Sequence, residues 1–165
     1  MMFRLSKKLS AKIKVPVIET LALHPDPLCD WSGHLFTVDR KQLVLLTNTA
    51  TLYSLVFPGR GISNAATFCE QADQSIREAL VKEGLSVELP VFDAATVRFS
   101  KALNRTVTGC MTEFVKESEF LMLERGVSLN ELAWRLNETP VATLRYDHPR
   151  QALTLLIESR IGDSD

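Results

Sequence analysis

The sequence predicts an α+β domain in which an antiparallel β-meander, with additional strands beside it, packs against several α-helices. Three observations carry this. Three apolar strand-like runs, HLFTV, QLVLLTN and LYSLVF, are separated only by the polar connections DRK and TAT. Connections that short join antiparallel neighbours, because a parallel crossover takes about a dozen residues or more. After them, Ala65, Phe68, Cys69, Ala72, Ile76, Ala79 and Leu80 recur at the three-four spacing of a helix buried on one face. Further on, Val107, Cys110, Met111, Phe114, Ser118, Leu121 and Met122 draw a second such stripe.

Taken in order, FRLS is a short strand or extended lead-in, and KKLSAKIKV a short helix with Leu5, Leu9 and Ile13 four apart on one side and its lysines toward water. HPDPLCDWSGH, with two prolines, two aspartates and a glycine, has the composition of a loop and places the first strong strand at His34. Within the meander, LVLL is apolar on consecutive positions, which predicts cover on both faces. PGRG then turns the chain into the first long helix, and Gly84 stands where a left-handed residue would close it. LSVEL and TVRFS alternate apolar with polar residues and predict two more strands, Pro90 placing the first at a sheet edge. The second long helix should run from about Thr106 or Thr108 to Arg125, widened by Val115, Phe120 and Leu123 and stopped by Gly126. In SLNE, Ser128 can cap the amide of Glu131 and open a short helix that ends near Pro140, and Pro149 suits the first turn of a closing helix. GDSD reads as a frayed tail.

A chain of 165 residues suffices for one well-filled core and does not need two, so a single domain spanning 1–165 is expected. With 45% hydrophobic and 24% charged residues it has the balance of an ordinary globular protein. A net charge of −1 argues against a protein that coats nucleic acid or a membrane with its whole surface, and leaves only local patches to consider. The three cysteines, Cys29, Cys69 and Cys110, are odd in number and far apart, which suits a reducing compartment and hence the cytoplasm. No apolar run approaches the roughly 20 residues of a bilayer span. The N-terminal MMFRLSKKLSAKIKV carries Arg4, Lys7, Lys8, Lys12 and Lys14 without an acid. It lacks the apolar core and cleavage site of a secretory signal and reads as part of the fold.

Two glycine- or amide-bearing corners are the candidate ligand-binding sites. At the first, Gly59 and Gly61 would let backbone amides converge beside the following helix N-terminus, with Arg60 as a forked donor for phosphate. The same glycines serve any sharp turn, and PGRG spells neither dinucleotide nor P-loop geometry. At the second, FSKALNRTV, Ser100, Lys101, Asn104 and Arg105 cluster between a strand end and a helix start. They could complete a clamp with Arg60 if both corners share one rim, or form a solvated rim beside a helix capped by Thr106 or Thr108. The basic N-terminus offers phosphate contacts or a solvated helix face.

No GxSxG, HExxH or metal-ligand spacing occurs, and no cofactor is implied. His24, His34 and His148 are scattered. Cys110 on its apolar stripe reads as a small hydrophobe, and Asp26 and Asp30 near Trp31 and His34 as turn formers or as parts of a loop-borne site.

The runs RLSKKL, HLFTVDRKQLVLLTNTATLYSLVFPGRGI, VRFSKALNRTVTGCM and LNETPVATLRYDHP together resemble a widespread family of small bacterial proteins carried as a domain of unknown function, FPGRGI and FSKALNR being the most specific segments. The resemblance covers most of the chain. It implies bacterial origin and a self-standing domain, and supplies no activity or catalytic residue.

Three expectations of function follow. The first is a binding or regulatory module for an anionic partner, a nucleotide-like ligand or nucleic acid, centred on Arg60, Lys101 and Arg105. The second is an enzyme for a small phosphorylated or acyl substrate near Trp31 and His34. The third is an interaction module, including a homo-oligomer built through the sheet edge or the apolar helix.

Overall fold

The meander forms with the hairpins that its short connections require. In the computed structural model, which describes residues 1–103, 105–145 and 147–162, strand β2 (Asp30–Val38) pairs antiparallel with β3 (Lys41–Asn48), and β3 with β4 (Ser54–Pro58). The first hairpin closes over Asp39 and Arg40, both at positive φ (46° and 63°). That is the turn geometry matching the twist of paired strands, here without the usual glycine. At the second, buried Asn48 accepts from the Ala50 and Thr51 amides at 3.2 and 3.0 Å and shapes the loop.

β1 (Met2–Leu5) lies parallel to β2 on one side and to β5 (Arg98–Ser100) on the other, giving the order β4-β3-β2-β1-β5. The sheet is therefore mixed. The helices are α1 (Lys7–Lys12), α2 (Ala65–Lys82), α3 (Arg105–Arg125), α4 (Leu129–Glu138) and α5 (Pro149–Gly162). Single 3-10 turns occur at Pro27–Cys29 and Ala142–Leu144. Helix ends follow the expected chemistry. Ser128 accepts from Glu131 N–H at 3.2 Å, while Gly84 and Gly126 follow α2 and α3 at φ 71° and 61°.

Residues paired in register share a face, so two cores follow from the ladder. Phe3, Leu5, Trp31, Leu35, Val44, Leu46 and Leu55 pack with Leu9 of α1, the apolar stripe of α2, and Leu153 and Ile157 of α5. Phe36, Val38, Leu43, Leu45 and Val56 pack with Val107, Met111 and Phe114 of α3 and Leu132 and Leu136 of α4. Helices cover both faces, and the consecutive apolar residues of LVLL supply both cores at once.

Four expectations need correction. β2 begins at Asp30, not His34, because Asp30 to Gly33 pair with β1 and Trp31 to Gly33 with β3. LSVEL forms no strand: Leu85, Val87 and Leu89 pack half-buried against the first core while their backbone joins no ladder. Alternation reports one-sided burial, which an extended segment obtains without a partner strand, and Pro90 then has no sheet edge to mark. In TVRFS only Arg98–Ser100 enters the sheet. Phe120 and Leu123 do not widen the stripe of α3, being 54% and 59% exposed.

Candidate anion-binding site

β1, β2, β4 and β5 all point the same way, so the PGRG corner after β4 and the FSK corner after β5 leave the same end of the sheet. They leave it at opposite edges. Four strand spacings separate β4 from β5, roughly 19 Å. Ser100, Arg4, Ser32, Thr47 and Ser54 also form one row across the sheet, so Arg60 lies farther along its strand direction than Lys101. Arg60 and Lys101 do not meet in one clamp.

At the PGRG corner the amides are largely engaged inside the chain. Gly59 N–H donates to Gln42 C=O at 2.9 Å, and Ile62 N–H to Gly59 C=O at 3.2 Å, closing a turn in which Gly61 takes φ 84°. Asn64 and Thr67 then cap α2 reciprocally, Thr67 N–H donating to Asn64 Oδ1 at 2.9 Å and Asn64 N–H to Thr67 Oγ1 at 3.2 Å. The glycines are explained by the turn itself: a Cβ on Gly59 would lie 3.3 Å from Gln42 Cβ, and Gly61 needs its positive φ.

The FSK corner is built differently. It rests on a salt bridge the sequence did not reveal, between Arg4 in β1 and Asp30 in β2, both 1% exposed. Arg4 donates from Nε and Nη2 to the two Asp30 oxygens at 2.9 and 2.8 Å. Its remaining hydrogens go to Leu21 C=O, Ser100 Oγ and Ala22 C=O at 2.8, 3.2 and 3.0 Å. All five guanidinium donors are used. Asp30 also accepts from His24 N–H at 2.9 Å and Thr49 Oγ1 at 2.8 Å. Burial alone would raise the Asp30 carboxyl, but the hydrogen bonds from Arg4, His24 and Thr49 outweigh it and hold the group below its ordinary range. Saturated on every side, the pair ties β1, β2, β5 and the 21–22 segment together and has no capacity left for a ligand.

Above it lies a cavity of about 180 Å3 between the sheet and α3, lined by Ser6, Ser32, His34, Ala102, Thr108 and Thr112 among others. Ser6 and Ala102 put it at the carboxyl ends of β1 and β5, the position where ligands of open α/β sheets bind, while Ser32 and His34 lie within β2. The fold thus unites two candidates that are distant in sequence, His34 and the corner following Ser100. His34 is half-buried and, while its backbone pairs with Leu45, its ring makes no hydrogen bond among the described residues. Burial first, and the charge of Lys8 second, push its pKa below 6.5, so the imidazole is neutral at neutral pH. Lys101 precedes Ala102 in the chain and Arg105 lies one helical turn before Thr108; both are exposed and neither is among the cavity's lining residues. Among the described residues, no ion pair involves Lys8, Lys101, Arg105 or Arg60. Asn104 lies outside the described residues.

Among the described residues, no carboxylate or thiol lines this cavity, so His34 has no acid or nucleophile of those kinds from them beside it. Ser32 Oγ is 3.0 Å from Thr49 Oγ1, in the network around Asp30. Asp26 caps the 3-10 turn by accepting from Leu28 N–H at 3.1 Å. Burial pushes the Cys29 and Cys69 thiols up to about 11, Asp26 adding to the effect at Cys29 and Asp93 at Cys69. Among the described residues, no group of three or more His, Cys, Asp or Glu could hold a metal, and no helix is long and apolar enough to cross a membrane.

Fold and site together define an α+β domain with helices on both sheet faces and a small histidine-lined cavity at the carboxyl ends of β1 and β5. The chain belongs to the family described as domain of unknown function DUF6933, whose model matches residues 2–152. No curated protein and no solved structure matches it.

Proposed function

We propose that this domain is a binding module for a compact anionic ligand, a phosphate- or carboxylate-bearing small molecule held at the His34 cavity. One observation carries the reading. A neutral imidazole with no ring hydrogen bond lines a cavity and feels the charge of Lys8; Lys101 and Arg105 stand next to and one turn before lining residues in the chain, and none of these cations is ion-paired among the described residues. An anion entering there would gain charge-assisted hydrogen bonds, worth about 1.5–3 kcal/mol each. The separation of the two corners favours a compact ligand at the His34 side over a single clamp that includes Arg60. The three free cysteines fit a reducing cytoplasm, and the family resemblance a bacterial one.

The test is a titration of inorganic phosphate and a nucleoside monophosphate, followed through the His34 ring resonances. Binding should raise the His34 pKa, because a bound anion favours the imidazolium, and affinity should therefore increase as pH falls through that value. Lys101→Ala with Arg105→Ala should weaken binding tenfold or more, while Arg60→Ala leaves it unchanged. An unmoved His34 pKa at saturating ligand removes the proposal. Equal losses in the Arg60 and Lys101 variants with a short oligonucleotide, together with a steep salt dependence, would instead favour an extended polyanion across both corners.

A further inference from the structure

A second cavity, of about 620 Å3, lies along the outer edge of β4 between α2 and α4 and shares no residue with the His34 cavity. Its floor is a sheet edge. Tyr53 C=O accepts from Asn48 N–H at 2.8 Å and Gly59 N–H donates to Gln42 C=O at 2.9 Å, so odd-numbered residues turn their peptides toward β3. By strand alternation Ser54, Val56 and Pro58 face outward. Ser54 is already occupied: Asn137 donates from Nδ2 to its C=O at 2.8 Å and accepts its N–H at 2.7 Å. Pro58 has no N–H. The N–H and C=O of Val56 remain as the one complete donor–acceptor pair on this edge without a partner among the described residues.

Trp134 of α4 borders the same cavity and is 53% exposed. The Arg150 guanidinium stands over one face of its ring, 5.8 Å from the centroid, and leaves the other face for stacking. Arg150 is itself ion-paired to Glu138 and, at 2.8 Å, to Glu83, so the indole is held in place without a ligand. Across the groove Lys82 Nζ donates to Asn130 Oδ1 at 3.3 Å, linking α2 to α4.

A long peptide strand would find one residue's worth of ladder here and a polar bridge in its path. A compact planar ligand needs only one adjacent acceptor and donor and a ring to lie against. Glu78 and Glu83 match Lys82 and Arg150 in number along the groove, and Arg150 is already ion-paired to Glu83 and Glu138, which leaves little positive charge for a phosphate. We infer that this groove binds a small uncharged planar cyclic amide of the nucleobase type, hydrogen-bonded to the Val56 peptide and stacked on Trp134.

Uracil and hypoxanthine, both cyclic amides, serve as probes. Each should shift the Val56 amide resonance and quench Trp134 fluorescence, and Trp134→Phe should abolish the quenching while leaving the emission of Trp31, which is 1% exposed. 1,3-Dimethyluracil keeps the ring but lacks the donors and should bind at least tenfold more weakly than uracil. Ala133→Phe places a helix-compatible ring in the groove and should remove binding with the circular dichroism spectrum intact. Should neither base move the Val56 amide at millimolar concentration, or the methylated base bind as tightly as uracil, the inference is overturned without recourse to any variant.

Discussion

Replacing Arg4 by methionine is expected to be the most damaging single change at the rim of the His34 cavity. Methionine keeps much of the side-chain length and removes the guanidinium. Asp30 is then left 1% exposed with only the His24 amide and Thr49 hydroxyl, having lost both charged bonds. Stranding one member of a buried ion pair costs about 3–5 kcal/mol. The Leu21 and Ala22 carbonyls lose their donors as well, but they are only part-buried and water can replace Arg4 there. Against a total stability of about 5–15 kcal/mol, a loss near 4 kcal/mol removes a quarter or more of what holds the domain folded.

The assay is urea unfolding at neutral pH for Arg4→Met, Asp30→Leu and the double variant. The double variant should lose less than the sum of the singles, because it leaves no uncompensated charge. Arg4→Met lying within about 1 kcal/mol of the parent at unchanged m would refute the reasoning, since an unpaired carboxylate would then have been tolerated at no cost. Acid supplies an independent check. Asp30 titrates below its ordinary 3.8 when folded, so its contribution is complete above that value and is lost as pH falls through the folded pKa. The double variant should show a shallower acid limb.

Three further outcomes are expected. Asn137→Ala leaves the buried N–H and C=O of Ser54 unpaired and should cost about 2–4 kcal/mol in urea unfolding. Gly33→Ala puts a Cβ 2.7 Å from Leu9 Cδ2, and because Leu9 is fully buried the repacking should lower stability by about 1–2 kcal/mol in the same assay. With a thiol reagent at pH 8, half-buried Cys110 should react promptly in the native protein, while Cys29 and Cys69, buried and raised to about 11, should react only after unfolding.

The meander and α2 were legible because their signals are local. Two short connections dictate antiparallel pairing, and six of the seven apolar positions proposed for α2 are buried, with Ala65 half-buried. The start of β2 was hidden because aspartate, serine and glycine imply a loop when read alone. What makes Asp30 a strand residue is Arg4, 26 positions away, and nothing in the local composition announces that partner. Arg4 had a faint signal of its own, a charge inside the apolar run MFRL, but four lysines nearby made it look like part of a solvated basic face. LSVEL failed in the opposite sense, its alternation reporting the half-burial of three side chains without revealing that its backbone joins no ladder.

The site divides along the same line. His34 and the Lys101–Arg105 corner were each visible as residues, but their meeting depends on β1 lying between β2 and β5, with pairings such as Met2 to Asp30 and Met2 to Arg98. Pairings over that sequence distance are settled by packing of the whole chain. The position of Arg60 shows the same limit. Strand direction in the structure puts the PGRG corner at the end of the sheet that Lys101 shares, yet α2, 18 residues and about 27 Å long, lies within the connection from β4 at one edge to β5 at the other. Two corners joined by a helix of that length could have been neighbours or opposites. The order of strands, which no local pattern encodes, makes them opposites, and for that reason the cations near His34 and the one at Arg60 must be tested as separate surfaces.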